Sequence, residues 1–334
     1  MDDLSLYEWA GVSFGRADTY RLYLSIKTFA ESLPAEVERL RLFGMIKTRG
    51  QPYYVVEGLT TEDPEGIDET KQEGRSGANK YTYWVTQSCE NSTWVQLPHV
   101  TMAQVVAARS FKKYMTGNLD APISSFPPFP GNEANYLRTQ IALISGATSV
   151  SPAGYFELNE DEDPPGVKLA EAETLNETFP KAAQELKEPD AWVHHEIELN
   201  ALGRCTAMPE QLDENGDPIE PDESVETTPP LKAIEAEQWA FRVSPGGAGE
   251  HAGSLVVAKS LLFPGAMAIA AARRFVNVYI GYGGSFAATT YSPPLPGPLQ
   301  VEWAPGEDEE PLKEAEDVRS DPTPPKAEDE EEEE

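Results

Sequence analysis

Acidic side chains are distributed so unevenly along this 334-residue chain that they decide which stretches can build a core. Residues 155–238 hold 23 acidic and 5 basic side chains, and residues 302–334 hold 16 and 3. Everything else, 1–154 and 239–301, balances at 18 acidic against 18 basic. The formal net charge of −31 therefore sits in two blocks, and the remainder is an electroneutral body. Like charges at such density repel and stay solvated, so apolar burial has to come mainly from the neutral stretches. With hydrophobic residues at 40%, those stretches suffice for one large domain or two ordinary ones. The same charge excludes two partner classes. Nucleic-acid affinity comes mainly from Lys and Arg displacing counterions, and an anionic membrane surface would repel this chain.

The last block, 304–334, contains Pro305, Pro311, Pro322, Pro324 and Pro325, shows no apolar periodicity and ends in five glutamates. It reads as a disordered acidic tail. In the first block, 160–165 and 213–228 read as loops. Between them, 191–199 alternates apolar and polar residues and predicts a strand, with His194 and His195 on opposite faces. The chain begins acidic and holds no run of 18 apolar residues, so a cytosolic protein is expected. Two cysteines, Cys89 and Cys205, are too few for a disulfide framework and read as reduced thiols.

Along the body, Asp18 or Thr19 can cap a helix running to about Ser32. Its stripe Leu22, Ile26, Phe29 and Leu33 either packs on the body or pairs with a partner helix. Residues 40–48 and 53–59 predict a hairpin, and 80–86 a strand with 93–97 as its partner. Thr101 caps a second helix ending at Gly117, with Val105, Val106, Ala108, Phe111 and Met115 inward and Arg109, Lys112 and Lys113 outward. After the Pro-rich stretch 121–131, Asn132 caps a third helix, 133–145. Four strands close the body at 238–243, 254–263, 266–272 and 275–282. Helical propensity competes at 266–272, but its place between Pro264-Gly265 and Arg273-Arg274 favours strand. The class is α+β: a mostly antiparallel β-sheet body with helices in the N-terminal half, acidic loops and the acidic tail.

Chemistry-bearing motifs are sparse. The four histidines, His99, His194, His195 and His251, have no metal-ligand spacing among themselves or with the cysteines, so no metal or cofactor is expected. Gly281-Tyr282-Gly283-Gly284 and Gly246-Gly247-Ala248-Gly249 lack the following Lys-Ser/Thr of a phosphate loop and read as turns. No Gly-x-Ser-x-Gly elbow occurs. The Pro-rich stretches 126–131 and 292–298 are ligands for aromatic grooves or rigid connectors on their own domain. No catalytic residue emerges, and an enzyme is disfavoured.

The run 119–138, with Phe126-Pro127-Pro128-Phe129-Pro130-Gly131-Asn132 and Tyr136 inside it, resembles the signature segment of the radial spoke head protein 4/6 family. So do 148–156, Trp192-Val193-His194-His195, Gly203-Arg204-Cys205, the 260–266 segment containing Pro264-Gly265, 275–283, 291–296 and the acidic tail. These matches follow in order over most of the chain. The resemblance implies a non-enzymatic structural subunit of the radial spoke head in the axoneme of motile 9+2 cilia and flagella. It would contact the central pair and help regulate dynein-driven bending. It also implies partners: a homologous or identical copy in a homo- or heterodimer, spoke head protein 9, MORN-repeat head proteins, and central-pair projections transiently.

The organisation expected is an N-terminal segment 1–15, a spoke-head-like body 16–303 with variable acidic loops near 157–190 and 207–232, and the tail 304–334. Candidate assembly or fold residues are Pro127, Pro128, Phe129, Pro130, Gly131, Asn132, Tyr136, Trp192, His194, His195, Pro264 and Gly265, with the helix stripe as a pairing candidate. The alternative function is an acidic scaffold or chaperone that binds basic proteins; a hydrolase using the acidic region stands further back.

Overall fold

The computed structural model describes residues 2–34, 37–61, 70–90, 93–161, 166–209, 211–212, 218–219, 228–244 and 255–286. The expected tail, the second Pro-rich stretch, the 246–249 glycine run, residues 162–165 of the first acidic loop and more than half of the second lie outside these residues. Residues 1–294 form one unit; the other, 295–334, is wholly outside the described residues.

Helix α1 (Asp2–Trp9) lies in the segment that was expected to precede the body. Its Leu6 and Tyr7, with Ala10 just beyond, are buried with Leu255, Val257, Ile269 and Val278. Helix α2 (Arg16–Ser32) starts ahead of the expected caps, with Gly15 at its N-cap. Asp18 instead occupies the first turn, where a carboxylate complements the positive helix end.

Strands β1 (Val37–Ile46) and β2 (Tyr53–Thr60) form the expected hairpin, and β3 (Tyr81–Thr86) pairs with the short β4 (Val95–Gln96). Helix α3 (Met102–Arg109) has a full capping box between Thr101 and Gln104 but ends well short of the expected Gly117. The reason lies in where the next backbone donors go. Lys113 N–H donates to the Tyr136 hydroxyl (3.3 Å), and Thr116 and Gly117 N–H donate to the Glu133 carboxylate at 2.7 and 2.8 Å. These partners replace the carbonyls that would have continued the helix. The facing also differs from expectation: Val106 is exposed, and Arg109 turns back to donate to the carbonyls of Leu199, Asn200 and Ala201.

Helix α4 (Glu133–Thr148) starts at the expected Asn132, through an Asn132–Asn135 capping box. Next come β5 (Val150–Pro152), the hairpin β6 (Phe156–Asn159) and β7 (Gly166–Leu169), helix α5 (Ala172–Thr178) and β8 (Trp192–His194). The expected 191–199 strand is thus only three residues long. Beyond it His195 N–H is taken by Ser149 O, and Glu196 turns its side chain to Tyr81 and Lys80. A small ribbon pairs β9 (Gln211–Leu212) with β10 (Pro218–Ile219). The chain then forms β11 (Trp239–Ser244), β12 (Leu255–Ser260), β13 (Ala266–Ala271) and β14 (Arg274–Gly281), the ambiguous 266–272 segment being a strand.

The main sheet has eight strands in the order β11-β12-β13-β14-β1-β2-β3-β4. All its neighbours are antiparallel except β1 and β14, which run parallel at the centre. Alternation along the strands divides the two faces. Val55, Tyr83 and Val85 join α4 through Leu137 and Ile141, while Val56 and Trp84 pack with Phe29 of α2. Farther along the sheet, Val256, Ala258, Ala268 and Ala270 meet Val150 and Trp192, and α1 covers the opposite face.

Candidate functional site

The Pro-rich segment is folded onto its own body. Glu133 N–H donates to Ala121 O and Ala134 N–H to Leu119 O, each at 2.9 Å, closing 119–134 into a loop at the start of α4. Phe129 is buried edge-on to both Phe111 and Tyr136, and those two rings stack with centroids 5.3 Å apart. Pro130 O accepts from the Gln104 amide at 3.0 Å. Gly131 has φ of 142°, and a Cβ there would lie 2.6 Å from the Asn135 side chain. Burial pushes the Tyr136 hydroxyl up to about 12. Phe129, Pro130, Gly131, Asn132 and Tyr136 therefore meet in one cluster. Pro128 is exposed and Pro127 half-buried, beside an exposed Phe126.

Pro264-Gly265 makes the β12–β13 turn, and its neighbours Phe263 and Ala266 belong to the same aromatic core as Phe129 and Tyr136. Gly265 has φ of 108°, and an added Cβ would come within 2.4 Å of Ile280 O. Trp192 lies in a different cluster, fully buried, its indole donating to Leu186 O at 2.8 Å. His195 is buried against Phe156 and Phe275, and burial pushes its imidazole down to about 4. His194 is half-buried, and burial followed by the Lys232 charge lowers it as well. The stripe Leu22, Ile26, Phe29 and Leu33 is on the opposite side of the sheet from the Phe129 cluster. Leu22 and Phe29 are buried; Ile26 and Leu33 pack at the edge of the Phe29–Trp84 cluster. The exposed large apolar residues of α2 are Tyr20 and Leu24.

A framework of buried charge lies between α4 and the sheet; Glu133 and Arg138 fall inside the 119–138 run, but neither is among the candidate residues named from the sequence. Glu133, with no exposed surface, accepts from the Tyr53 hydroxyl (2.9 Å), the Thr116 hydroxyl (2.7 Å) and the two backbone donors already named. Arg138 donates to Ala78 O and Asn79 Oδ1 at 2.8 and 3.0 Å and lies 4.6 Å over the Tyr83 ring. Glu73 accepts from the Cys205 and Thr206 backbone and from the Thr206 hydroxyl, tying two loops more than 100 residues apart.

A cavity of about 70 Å³ is lined by Arg41, Glu57, Lys80, Tyr81 and Glu196. Arg41 pairs with Glu57, while Glu196 accepts from Tyr81 and Lys80 at 2.9 and 3.2 Å. Burial alone would raise the Glu196 carboxyl, but Lys80, His195, Arg41 and the Tyr81 hydroxyl hold it below its ordinary value. Each of these carboxylates is engaged by donors, so the arrangement cross-links chain segments. Among the described residues no group of three His, Cys, Asp or Glu is placed to hold a metal ion. Both cysteines are free and buried, and among the described residues no helix is long and apolar enough to cross a membrane.

A family model described as radial spokehead-like protein matches residues 1–74 and 64–331. Human radial spoke head protein 4 homolog A is 32% identical over 374 residues, a match covering 92% of this chain and 50% of the human one. Human radial spoke head protein 6 homolog A is also 32% identical, covering 92% and 51%. Flagellar radial spoke protein 4 of Chlamydomonas reinhardtii is 33% identical over 334 residues, covering 90% of this chain and 70% of its own. The chain thus spans about half the length of the human relatives it matches.

Proposed function

The chain belongs to the radial spokehead-like protein family, and from that premise we propose that it is a structural subunit of the radial spoke head in the axoneme of motile 9+2 cilia and flagella. The observation that carries this reading is the match to the Chlamydomonas flagellar protein, at 33% identity over 70% of that protein. The geometry supports a structural role. Buried carboxylates and guanidinium groups are used to tie loops to α4 and the sheet, which makes a body suited to transmitting load.

Within the head it pairs with a homologous or identical copy and joins spoke head protein 9 and MORN-repeat subunits. Through the head it meets central-pair projections and influences dynein-driven bending. Phe129, Gly131, Tyr136, Trp192 and Gly265 act as fold signatures that shape this body. Pro127, Pro128 and Phe126 are the part of the Pro-rich segment left for a neighbouring subunit, and Tyr20 and Leu24 the part of α2. The acidic blocks act at close range only, because surface charge is screened over about 8 Å at physiological salt.

The test is to tag the protein and follow it in detergent-extracted motile cells. It should stay with the axoneme and be lost from mutants that lack spoke heads. A spoke-independent pool that captures basic proteins would replace this reading with the acidic-scaffold one. Deleting 304–334 with no change in beating would remove the role given to the tail.

A further inference from the structure

At the edge where β1 and β14 run out side by side, the surface has a charge opposite to that of the chain. Stretches 42–53, 109–119 and 275–286 contain five basic residues and no acidic one, in a chain of net charge −31. The structure gathers them. Lys47 N–H donates to Gly281 O at 2.7 Å, and Arg49 N–H to Met115 O at 2.9 Å, joining the end of β1 to β14 and to the loop after α3.

Aromatic rings project among these cations. Tyr114 and Tyr282 meet edge to face at 5.5 Å with more than half of each exposed, and Lys47 lies 5.7 Å over the Tyr282 ring. Lys112 lies 5.8 Å over Phe286, which is 67% exposed. Lys113 caps Ser124 O, a contact that leaves its charge uncompensated. Among the described residues no carboxylate forms an ion pair with Lys47, Arg49, Lys112 or Lys113. A cavity of about 200 Å³ lined by Arg109, Lys112, Leu262, Phe263 and Ser285, and by one carboxylate, Glu198, lies next to Phe286, large enough for an apolar side chain.

We propose that this face docks an acidic peptide segment of a partner protein, with its carboxylates on the lysines and an apolar anchor residue in the cavity beside Phe286. Charge complementarity selects the occupant: lysines flanked by exposed rings gain from carboxylates and from the methylenes that carry them. A nucleic acid offers the same negative charge but carries no aliphatic side chain for the cavity beside Phe286, and that cavity is what selects a peptide. The separation of roles is built in. The lysines set attraction and salt dependence, and the rings and cavity set residence time.

The experiment uses the full chain and a fluorescein-labelled glutamate-rich peptide carrying one leucine, followed by fluorescence anisotropy at physiological salt. Saturable binding is expected. It should weaken roughly tenfold or more in Lys47→Glu/Lys112→Glu/Lys113→Glu, and again in unaltered protein as salt rises toward about 1 M. Tyr114→Ala/Phe286→Ala should weaken it about threefold to tenfold with the salt slope unchanged. Lys259→Glu, an exposed lysine on β12, should leave it unchanged. Circular dichroism checks that each variant is folded, and Lys112→Glu/Lys113→Glu serves if the triple variant is not. No saturable binding, equal binding by the folded charge-reversed variant, or tighter binding of an oligouridylate that the peptide fails to displace would each overturn the proposal.

Discussion

Where β1–β3 lie under α4, an apolar core of aromatic and branched side chains is supplemented by buried charged and hydroxyl groups that tie loops to it; where β12 and β13 lie between α1 and the β5–β8 pair, the fit is made by alanines and valines. In the first region Glu133, Arg138 and Glu73 each collect backbone donors or acceptors from loops that have no regular structure of their own. In the second, Val256, Ala258, Ala268 and Ala270 are buried with almost no exposed surface, and small side chains let the covering layers approach closely. Polar links exist there too, as between Arg242 and Ala10 or Asn277 and Val150, but each serves a single neighbour. Loops carry orphan backbone groups that need side-chain partners, whereas paired strands satisfy their own and ask only for volume. One sheet thus uses two kinds of glue according to what covers it.

The largest effect is expected where the two regions join. Gly44 faces Tyr279 in the parallel β1–β14 pair, has φ of 146°, and an added Cβ would lie 1.9 Å from Tyr279 O. Gly44→Ala should cost about 5 kcal/mol, enough to remove a stable native baseline in urea unfolding. Glu133→Ala strands buried donors from Tyr53, Thr116 and Gly117, and should cost about 4 kcal/mol. If it costs less than about 1 kcal/mol, the polar region is not held as described.

His195 gives a pH-dependent contrast. Its folded value near 4 lies below the ordinary histidine value, so between about pH 6.5 and 4 the unfolded chain binds a proton that the folded chain does not. Stability is full above that window and falls as pH drops through it, by at most about 3 kcal/mol. Glu196 opposes the shift while Arg41, Lys80 and His194 reinforce it, and ordinary carboxylates titrate below pH 5 in any protein. The quantity to measure is therefore the difference between the native chain and His195→Phe, which should be less sensitive to acid across the window.

In the small-residue region, Ala268→Leu should cost about 2 kcal/mol through overpacking, without a pH signature. The smallest effect is expected on the outer face of α2. Leu24→Ser should stay within about 0.5 kcal/mol of the native chain by thermal unfolding. A larger loss would mean that this face is covered in the isolated chain.

Much of this was readable from the residues. The α4 start followed from Asn132, and the strands around 40–59, 80–86 and 238–282 from alternation and turn residues. What escaped had physical reasons. The end of α3 is decided by Glu133 and Tyr136, side chains more than 20 positions away that capture its next backbone donors. The β6–β7 hairpin and α5 lie in the acidic block, where charge density masks a modest apolar signal such as Phe156, Leu158 and Val167. Of the candidate site, the burial of Phe129, Tyr136 and Trp192 could be anticipated from their size. The burial of Glu133, Glu73 and Arg138 could not, because a charged residue on a helix or loop ordinarily reads as solvent-facing.

The central parallel pair also sets a timetable. Gly44 and Tyr279 are 235 residues apart in sequence, yet they are register partners. On a ribosome adding about 5–20 residues per second, β1 would wait roughly 10–50 s for β14 to be made. Until then the edge of β1 that β14 will cover is bare, and such edges invite pairing with other chains. Newly made protein is therefore most exposed to mispairing just before β14 arrives, and a chaperone or assembling neighbour able to shield that edge would act during synthesis rather than after it.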